Sequence, residues 1–402
     1  MISTKEAKRI LLDNTLDFGT EVIPFFKATG RVLKEDIIAD RDFTPFNRVA
    51  MDGIALNYHF FNTGVRGFKI EGLQPAGAAQ KTLKNPANCY EVMTGASLPI
   101  HTDTVVPYED VNINNSNAWI KADTISQGQN IHKQAADNKL GAVLINKNSI
   151  LSPAEINVLA TVGKFAVRVA KLPKVLIVST GDELVEVNKT PLPYQIRKSN
   201  VFALLALLEQ LQIRSEVEHL NDNKKVIEQK VALYLQKYDV LLFSGAVSKG
   251  KFDFLPSTMN QLGVKELFHR VSQRPGKPFW MGLKQADKQN TVIFGFPGNP
   301  ISTFVNCLVY FYPWYFKSVL AKQRAKNAVL SKDISFKPNM TYFLPVKLYF
   351  DNGQLKANPI KASGSADLVS LVNADAFIEI PQTKEIVFKK GRTFPLFSYR
   401  YF

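Results

Sequence analysis

The chain reads as a multidomain α/β protein: a central doubly wound α/β domain that carries an inserted β-rich domain and a C-terminal β domain. Three observations predict this. Its 402 residues are too many for one ordinary core, because domains run about 50–250 residues. Over 172–320, continuous apolar runs alternate with helical stretches, as buried parallel strands alternate with crossover helices. Over 40–140, and again after 325, short runs broken by Gly, Asn and Pro read as β structure.

The elements follow in order. Ser3 and Glu6 have the spacing of a capping box, and Ala7, Ile10 and Leu11 share a face, so a helix spans 3–13. Strand-like runs at 67–71, 89–93 and 119–122 lie between breaks such as Gly53, Gly64, Pro75 and Pro86. Ser152 caps a helix over 152–163, with Pro153 in its first turn, Glu155 completing the box and Gly163 ending it. The α/β part has strands at 174–179, 216–220, 240–243 and 292–296. Its helices are 201–211, capped by Ser199 or Asn200, then 224–236, one near 254–262, and a long apolar helix from 299 to 320. Runs at 343–349, 376–380 and 385–388 form the final β part.

Composition narrows the function. Hydrophobic content of 46% with 21% charged residues supports a large core and excludes disorder. Fifty Lys and Arg against 35 Asp and Glu give +15, which favours anionic partners. The basic residues are dispersed, with Lys224-Lys225 and Lys389-Lys390 only pairs, and no zinc-finger spacing exists. A phosphorylated small ligand is therefore expected over nucleic acid. The two cysteines, Cys89 and Cys307, form no CxxC, which argues against a thiolate zinc site; Cys307 reads as a buried small hydrophobe. None of the five histidines has metal-site spacing, and no Ser-His-Asp arrangement is legible. The N-terminus lacks the basic-then-apolar order of a signal peptide, and no apolar run reaches the roughly 18 residues of a membrane span, so a cytoplasmic location is expected.

Three segments sit where a doubly wound sheet binds ligands, at the carboxyl ends of strands, and a fourth is a cationic turn. Residues 244–250 (SGAVSKG) read as a phosphate-cradling loop or an ordinary strand-to-helix turn. Residues 179–183 (STGDE) place two acids at a strand end, as ligands or as a solvated turn with Asp182 capping. Residues 274–278 (RPGKP) hold two cations on a rigid turn, for an oxyanion or simply at the surface. Residues 296–302 (FPGNPIS) place Pro297, Gly298 and Asn299 at a helix start, toward a ligand or as a plain capped turn. Together they suggest an anionic phosphate-bearing ligand beside carboxylates suited to a divalent metal. Residues 50–53 (AMDG) and 93–96 (MTGA), and the His132 and Asp137 stretch, are each weak alone.

The ordered set FNRVAMDGIAL, VMTGASLP, DTVVPYEDV, PKVLIVSTGDELVEV, IRKSN, LLFSGAVSKGKFDF, RPGKPFWMG, GFPGNPIS and GSADLVSLVNADAFIEIP resembles the MoeA-type molybdenum insertases, or molybdopterin molybdotransferases, the family of the gephyrin E domain. The resemblance spans nearly the whole chain. It implies a homodimer of four-domain subunits. The α/β molybdopterin-binding domain would be 1–19 with 173–321, and the linker and dimerisation domain 20–38 with 142–172. The inserted β-rich domain would be 39–141 and the C-terminal β domain 322–402. It also implies insertion of molybdate into adenylylated molybdopterin, with Mg2+-dependent cleavage of the phosphoanhydride and loss of AMP. A molybdopterin adenylyltransferase is the candidate protein partner.

Carried over residue by residue, the resemblance implies that Glu183 and Asp253 hold metal, with Asp182 and Asp222 as further site acids. Asp52, Thr94 and Asp137 would be contributed by the β-rich part. Arg270, Arg274 and Lys277 would meet phosphate or molybdate, Ser244, Gly245 and Ser248 would line the phosphate loop, and Ser365 would border the molybdate pocket. The chain departs from the family pattern at Arg48 and Val49, at Lys198 where an acid is usual, at Ala246 and Lys249 in the glycine loop, and at Pro345 where many members carry arginine. Arg48, Lys198 and Lys249 are therefore expected to take over oxyanion binding. Two other functions compete: a related nucleotide pyrophosphatase or adenylyltransferase, which would release AMP without molybdate, and a non-catalytic scaffold. The retained Glu183, Asp253 and Lys277 weigh against the scaffold.

Overall fold

A computed structural model describes residues 1–245, 255–287, 289–322, 325–361 and 364–400. The chain divides into two compact units, one of residues 1–34, 148–152 and 167–402, the other of residues 35–147 and 153–166.

The first unit holds the α/β layer. Its strands are β1 (Val175–Thr180), β2 (Ser215–Leu220), β3 (Val240–Ser244), β4 (Lys265–His269), β5 (Trp280–Lys284) and β6 (Thr291–Phe296), in the order β2-β1-β3-β6-β5-β4. The first four in that order run parallel, and β5 and β4 extend the sheet antiparallel. Alternation along the central strands decides the layering. Val175, Ile177, Val240, Leu242, Val292 and Phe294 join one core with helices α1 (Thr4–Asp13), α2 (Asn200–Gln210) and α5 (Pro300–Asn306). Leu176, Val178, Leu241, Phe243 and Ile293 join a second core with α3 (Lys224–Lys237) and α4 (Leu255–Gln261). Both faces are covered, so the central strands β1, β3 and β6 are nearly continuous apolar runs.

Two parts of this layer escape the sequence reading. Strands β4 and β5 were not expected. β4 is an edge strand with only Phe268 fully buried, and β5 is interrupted by Gly282, where a Cβ would lie 2.2 Å from the Trp280 ring. The helix expected over 299–320 is helical to Ser318 but passes through a π-helical segment at Cys307–Phe311, just before Pro313. A proline ring lacks an amide and crowds the carbonyl four residues earlier, and a widened turn relieves that crowding.

The same unit carries the C-terminal β domain. Strands Thr341–Asp351, Gln354–Pro359, Asn327–Leu330, Thr393–Ser398 and Ala376–Ile380 pair in that order, and the last pairs back with the first. The ring closes as a small barrel around Leu344, Val346, Ala357, Ile378 and Leu396, which removes free edges.

The second unit is built on a six-stranded sheet in the order Thr104–Pro107, Gly53–Leu56, Cys89–Val92, Gly67–Gln74, Asn117–Ile120, Val111–Asn114. Ile54 and Leu56 face one cluster and Ala55 the other, so this sheet too is covered on both sides. Gly53 is required by contact: a Cβ there would lie 2.0 Å from the Val106 carbonyl oxygen. Beside the sheet, Arg48–Val49 pairs with Ile131–His132.

Candidate functional site

The carboxyl ends of β1, β2, β3 and β6 open on one cavity of about 680 Å³. Glu183 after β1, Asp222 after β2, Ser244 and Gly245 after β3, and Gly298 and Asn299 after β6 line it, with Lys198 and Asn200 at the start of α2. Here residues of 179–183 and 296–302 meet Ser244 and Gly245, at the carboxyl ends of strands where a doubly wound sheet binds ligands. A second cavity of about 300 Å³ is lined by Arg274, Lys277, Pro297, Asn299, Pro345 and Ser365. Asn299 borders both. The acids thus gather at one cavity and the cations of the RPGKP turn at the other.

Loop geometry explains the glycines. Gly181 has φ +126°, and a Cβ on it would meet a Glu183 carboxylate oxygen at 2.3 Å. Gly245 has φ +106°, with Thr180 Oγ1 2.9 Å from where its Cβ would be. The Asp182 side chain accepts the Asp222 amide at 3.2 Å, tying the β1 and β2 loops together.

The expected caps are used otherwise. Ser199 occupies the N-cap of α2 but makes no side-chain capping bond, and Asn200 Nδ2 instead donates to Ser244 Oγ at 2.9 Å and to the Gly298 carbonyl at 2.7 Å. Asn299 at the N-cap of α5 likewise makes no side-chain cap; its Nδ2 donates to Ser365 Oγ at 2.7 Å. The competing partners lie across the strand ends, beyond the reach of local reading.

Lys198 is buried and ion-paired with Glu186, so it does not present a free charge to the cavity it lines. The bond from Lys198 holds the Glu186 carboxyl below its ordinary range. Nearby, Ser179 Oγ lies 2.9 Å from His219 Nδ1; burial, then the charge of Lys198, pushes this imidazole below its ordinary value. The RPGKP turn rests on a buried amide network that sequence reading missed. Gln273 Nε2 donates to the Pro275 carbonyl at 2.9 Å and to Asn306 Oδ1 at 2.8 Å, while Asn306 Nδ2 donates to the Gly276 carbonyl at 3.3 Å. Asn306 is the one amide among the apolar neighbours of FVNCLVYF, the one signal that could have singled it out. Arg270 lines neither cavity, and its Nε is buried without a partner among the described residues. Ser248, Lys249 and Asp253 lie outside the described residues.

In the second unit, Asp52 Oδ1 accepts from the Thr94 amide at 2.6 Å and its hydroxyl at 2.7 Å, which lowers the Asp52 carboxyl from its ordinary range. Asp137 Oδ1 lies 3.2 Å from His132 Nε2, and Arg48 lies 3.3 Å from His132 Nδ1. Because a guanidinium only donates, Nδ1 accepts and Nε2 carries the proton. Arg48 is thereby anchored through His132 to Asp137.

Among the described residues no group of three His, Cys, Asp or Glu could cage a metal. A small divalent ion needs less: Mg2+ binds through one or two carboxylates and completes its shell with phosphate oxygens and water. Glu183 and Asp222, hard donors lining one cavity, fit that demand.

Comparison with known proteins agrees with this arrangement. Residues 2–163 match the MoeA N-terminal region (domain I and II), 176–314 the probable molybdopterin binding domain, and 327–396 the MoeA C-terminal region (domain IV). A molybdopterin molybdenumtransferase of Synechocystis sp. is 39% identical over 99% of this chain and 100% of its own length. The chain belongs to the MoeA-type molybdopterin molybdenumtransferases. A molybdopterin molybdenumtransferase of Bacillus subtilis is 30% identical over 90% of this chain and 86% of its own. The crystal structure of a molybdopterin biosynthesis moeA protein from Pyrococcus horikoshii superimposes with a TM-score of 0.82 at 27% identity, covering 99% of this chain and 100% of the other. The α/β layer with its inserted β-rich part and C-terminal barrel is thus the MoeA fold. No helix among the described residues is long and apolar enough to cross a membrane.

Proposed function

We propose that this MoeA-type enzyme inserts molybdate into adenylylated molybdopterin and releases AMP, acting as a cytoplasmic homodimer whose substrate is supplied by a molybdopterin adenylyltransferase. The observation that carries the reading is the cavity at four strand ends, where Glu183 and Asp222 stand beside Ser244, Gly245 and Gly298, in a chain related along its length to molybdopterin molybdenumtransferases.

The chemistry asks for these groups. Water attacks a phosphorus of the phosphoanhydride, the bridging P–O bond breaks, and AMP departs with the bridging oxygen or the incoming one. No side-chain nucleophile is required. Small backbone at Gly245 and Gly298 admits the pyrophosphate closely. Mg2+, held by Glu183 with Asp222 and Asp253, would neutralise charge on the phosphate oxygens. Arg274 and Lys277, on a turn fixed by Gln273 and Asn306, offer cations to molybdate at the smaller cavity, which Pro297, Asn299 and Ser365 border. Asp182 positions the Asp222 loop. Arg48, Asp52, Thr94 and Asp137 act from the β-rich part, and Ser248 is a further anion contact; Arg270, which borders neither cavity, is left out of the site. The four-domain division at residues 19, 38, 141, 172 and 321 belongs to the same proposal.

The test is AMP release from adenylylated molybdopterin and Mg2+ with and without molybdate. Release that requires molybdate supports insertion. Release indifferent to molybdate would make the protein a pyrophosphatase, and its complete absence would favour a scaffold.

A further inference from the structure

We propose that Asn200 is a positioning residue that sets the polarity of the phosphate end of the larger cavity; this rests on the site's reading as a phosphate site. One amide nitrogen makes two bonds, to Ser244 Oγ at 2.9 Å and to the Gly298 carbonyl at 2.7 Å. These partners end β3 and follow β6, strands adjacent in the sheet. Where they approach, a Cβ on Gly298 would lie 4.0 Å from the Gly245 Cα. Asn200 therefore pins two glycine-bearing loops against each other at the place where a phosphate would be cradled.

Each bond has a chemical consequence. Ser244 is buried, and its oxygen accepts from Asn200, so its hydroxyl proton is left to donate elsewhere. The serine becomes a donor, as an anion requires. The Gly298 carbonyl is a negative dipole end on the wall of the same cavity; engaged by Asn200, it is held off an anion. Asn200 forgoes capping α2 to do this, and Ser199 does not take over. Lys198, one residue further, is paired with Glu186 and does not substitute for the donor.

Asn200→Asp keeps the shape and reverses the polarity. A carboxylate cannot donate to Gly298, and it would accept the Ser244 hydroxyl proton. Asn200→Ala removes the donor without reversing it. The experiment measures AMP affinity by calorimetry at pH 7.5 for wild type and both variants. It also follows amide exchange over 244–245 and 297–299 in the free proteins.

Loss of the Asn200 donor, with water replacing part of its two bonds, predicts affinity lower by about tenfold in Asn200→Ala, and the added negative charge with a reversed Ser244 hydroxyl predicts about a hundredfold in Asn200→Asp. Lowering the pH through the carboxyl titration should restore part of the Asn200→Asp affinity, because the neutral acid donates again; a purely structural role predicts no such recovery. Exchange should quicken in both variants. Wild type that binds AMP while Asn200→Asp binds equally well at pH 7.5 overturns the assignment of Asn200 and leaves the functional reading standing. Equal losses in the two variants without pH recovery also overturn it, reducing Asn200 to a packing role. Wild type that fails to bind AMP overturns the functional reading and this assignment with it.

Discussion

The Glu183 carboxylate lies over Gly181, so close that a Cβ at 181 would meet Oε2 at 2.3 Å. The glycine's φ of +126° and its missing side chain are thus the condition for the carboxylate's position at the end of β1.

Gly181→Ala should therefore act as a lesion of Glu183. The strained backbone costs about 1–3 kcal/mol of stability. Activity should fall at least about tenfold, since a misplaced metal-binding carboxylate costs that much or more. Thermal melts and AMP-release rates check the pair of effects; full activity would show that Glu183 need not sit where it does.

Glu186→Gln should unmask Lys198. The pair now neutralises a cation that lines the larger cavity. Removing the acid should tighten AMP binding at low ionic strength and lose that gain as salt is raised. Stability should fall, because the buried Lys198 ammonium loses its partner. Titration of AMP into both proteins at two salt concentrations reads the difference, and equal affinity would show the Lys198 charge to be remote from the ligand.

Much of this was legible from local spacing, and what was not depended on distant partners. Ser3 caps α1 by accepting the Glu6 amide, as the box spacing predicts, and the apolar run at 174–179 falls on β1. Glycine-bearing strand ends likewise mark the cavity lining. A sequence shows donors but not what they bond. Lys198 reads in sequence as an anion contact but is neutralised by Glu186, and Asn200 and Asn299 read as caps but give their amides to Ser244, Gly298 and Ser365. The antiparallel β4 and β5 were missed because edge exposure and Gly282 erase their periodicity.

His219 makes the fold sensitive to mild acid. Its folded-state pKa lies below the ordinary 6.5 because burial, and then Lys198, disfavours the charged ring. The unfolded chain therefore binds more protons, so this contribution is fully present above 6.5 and is lost as pH falls from there through the folded value. Melting temperature measured from pH 7.5 to 5.5 should fall less steeply in His219→Gln than in wild type. An identical slope would mean that His219 is not buried as a neutral ring.

The two thiols should be inert in the native protein. Burial pushes Cys89 up to about 12 and raises Cys307 as well. A thiol reagent at pH 8 should label neither until denaturant is added, when both react; rapid native labelling would contradict the burial of the thiol that reacts.

The most direct test of the central claim compares wild type with Glu183→Ala for AMP release from adenylylated molybdopterin, in molybdate and across a Mg2+ titration. The account predicts molybdate-dependent, Mg2+-saturable release by wild type and near-complete loss in Glu183→Ala at every Mg2+ concentration. Undiminished release by Glu183→Ala would contradict it, because the carboxylate at the end of β1 would then hold neither metal nor substrate.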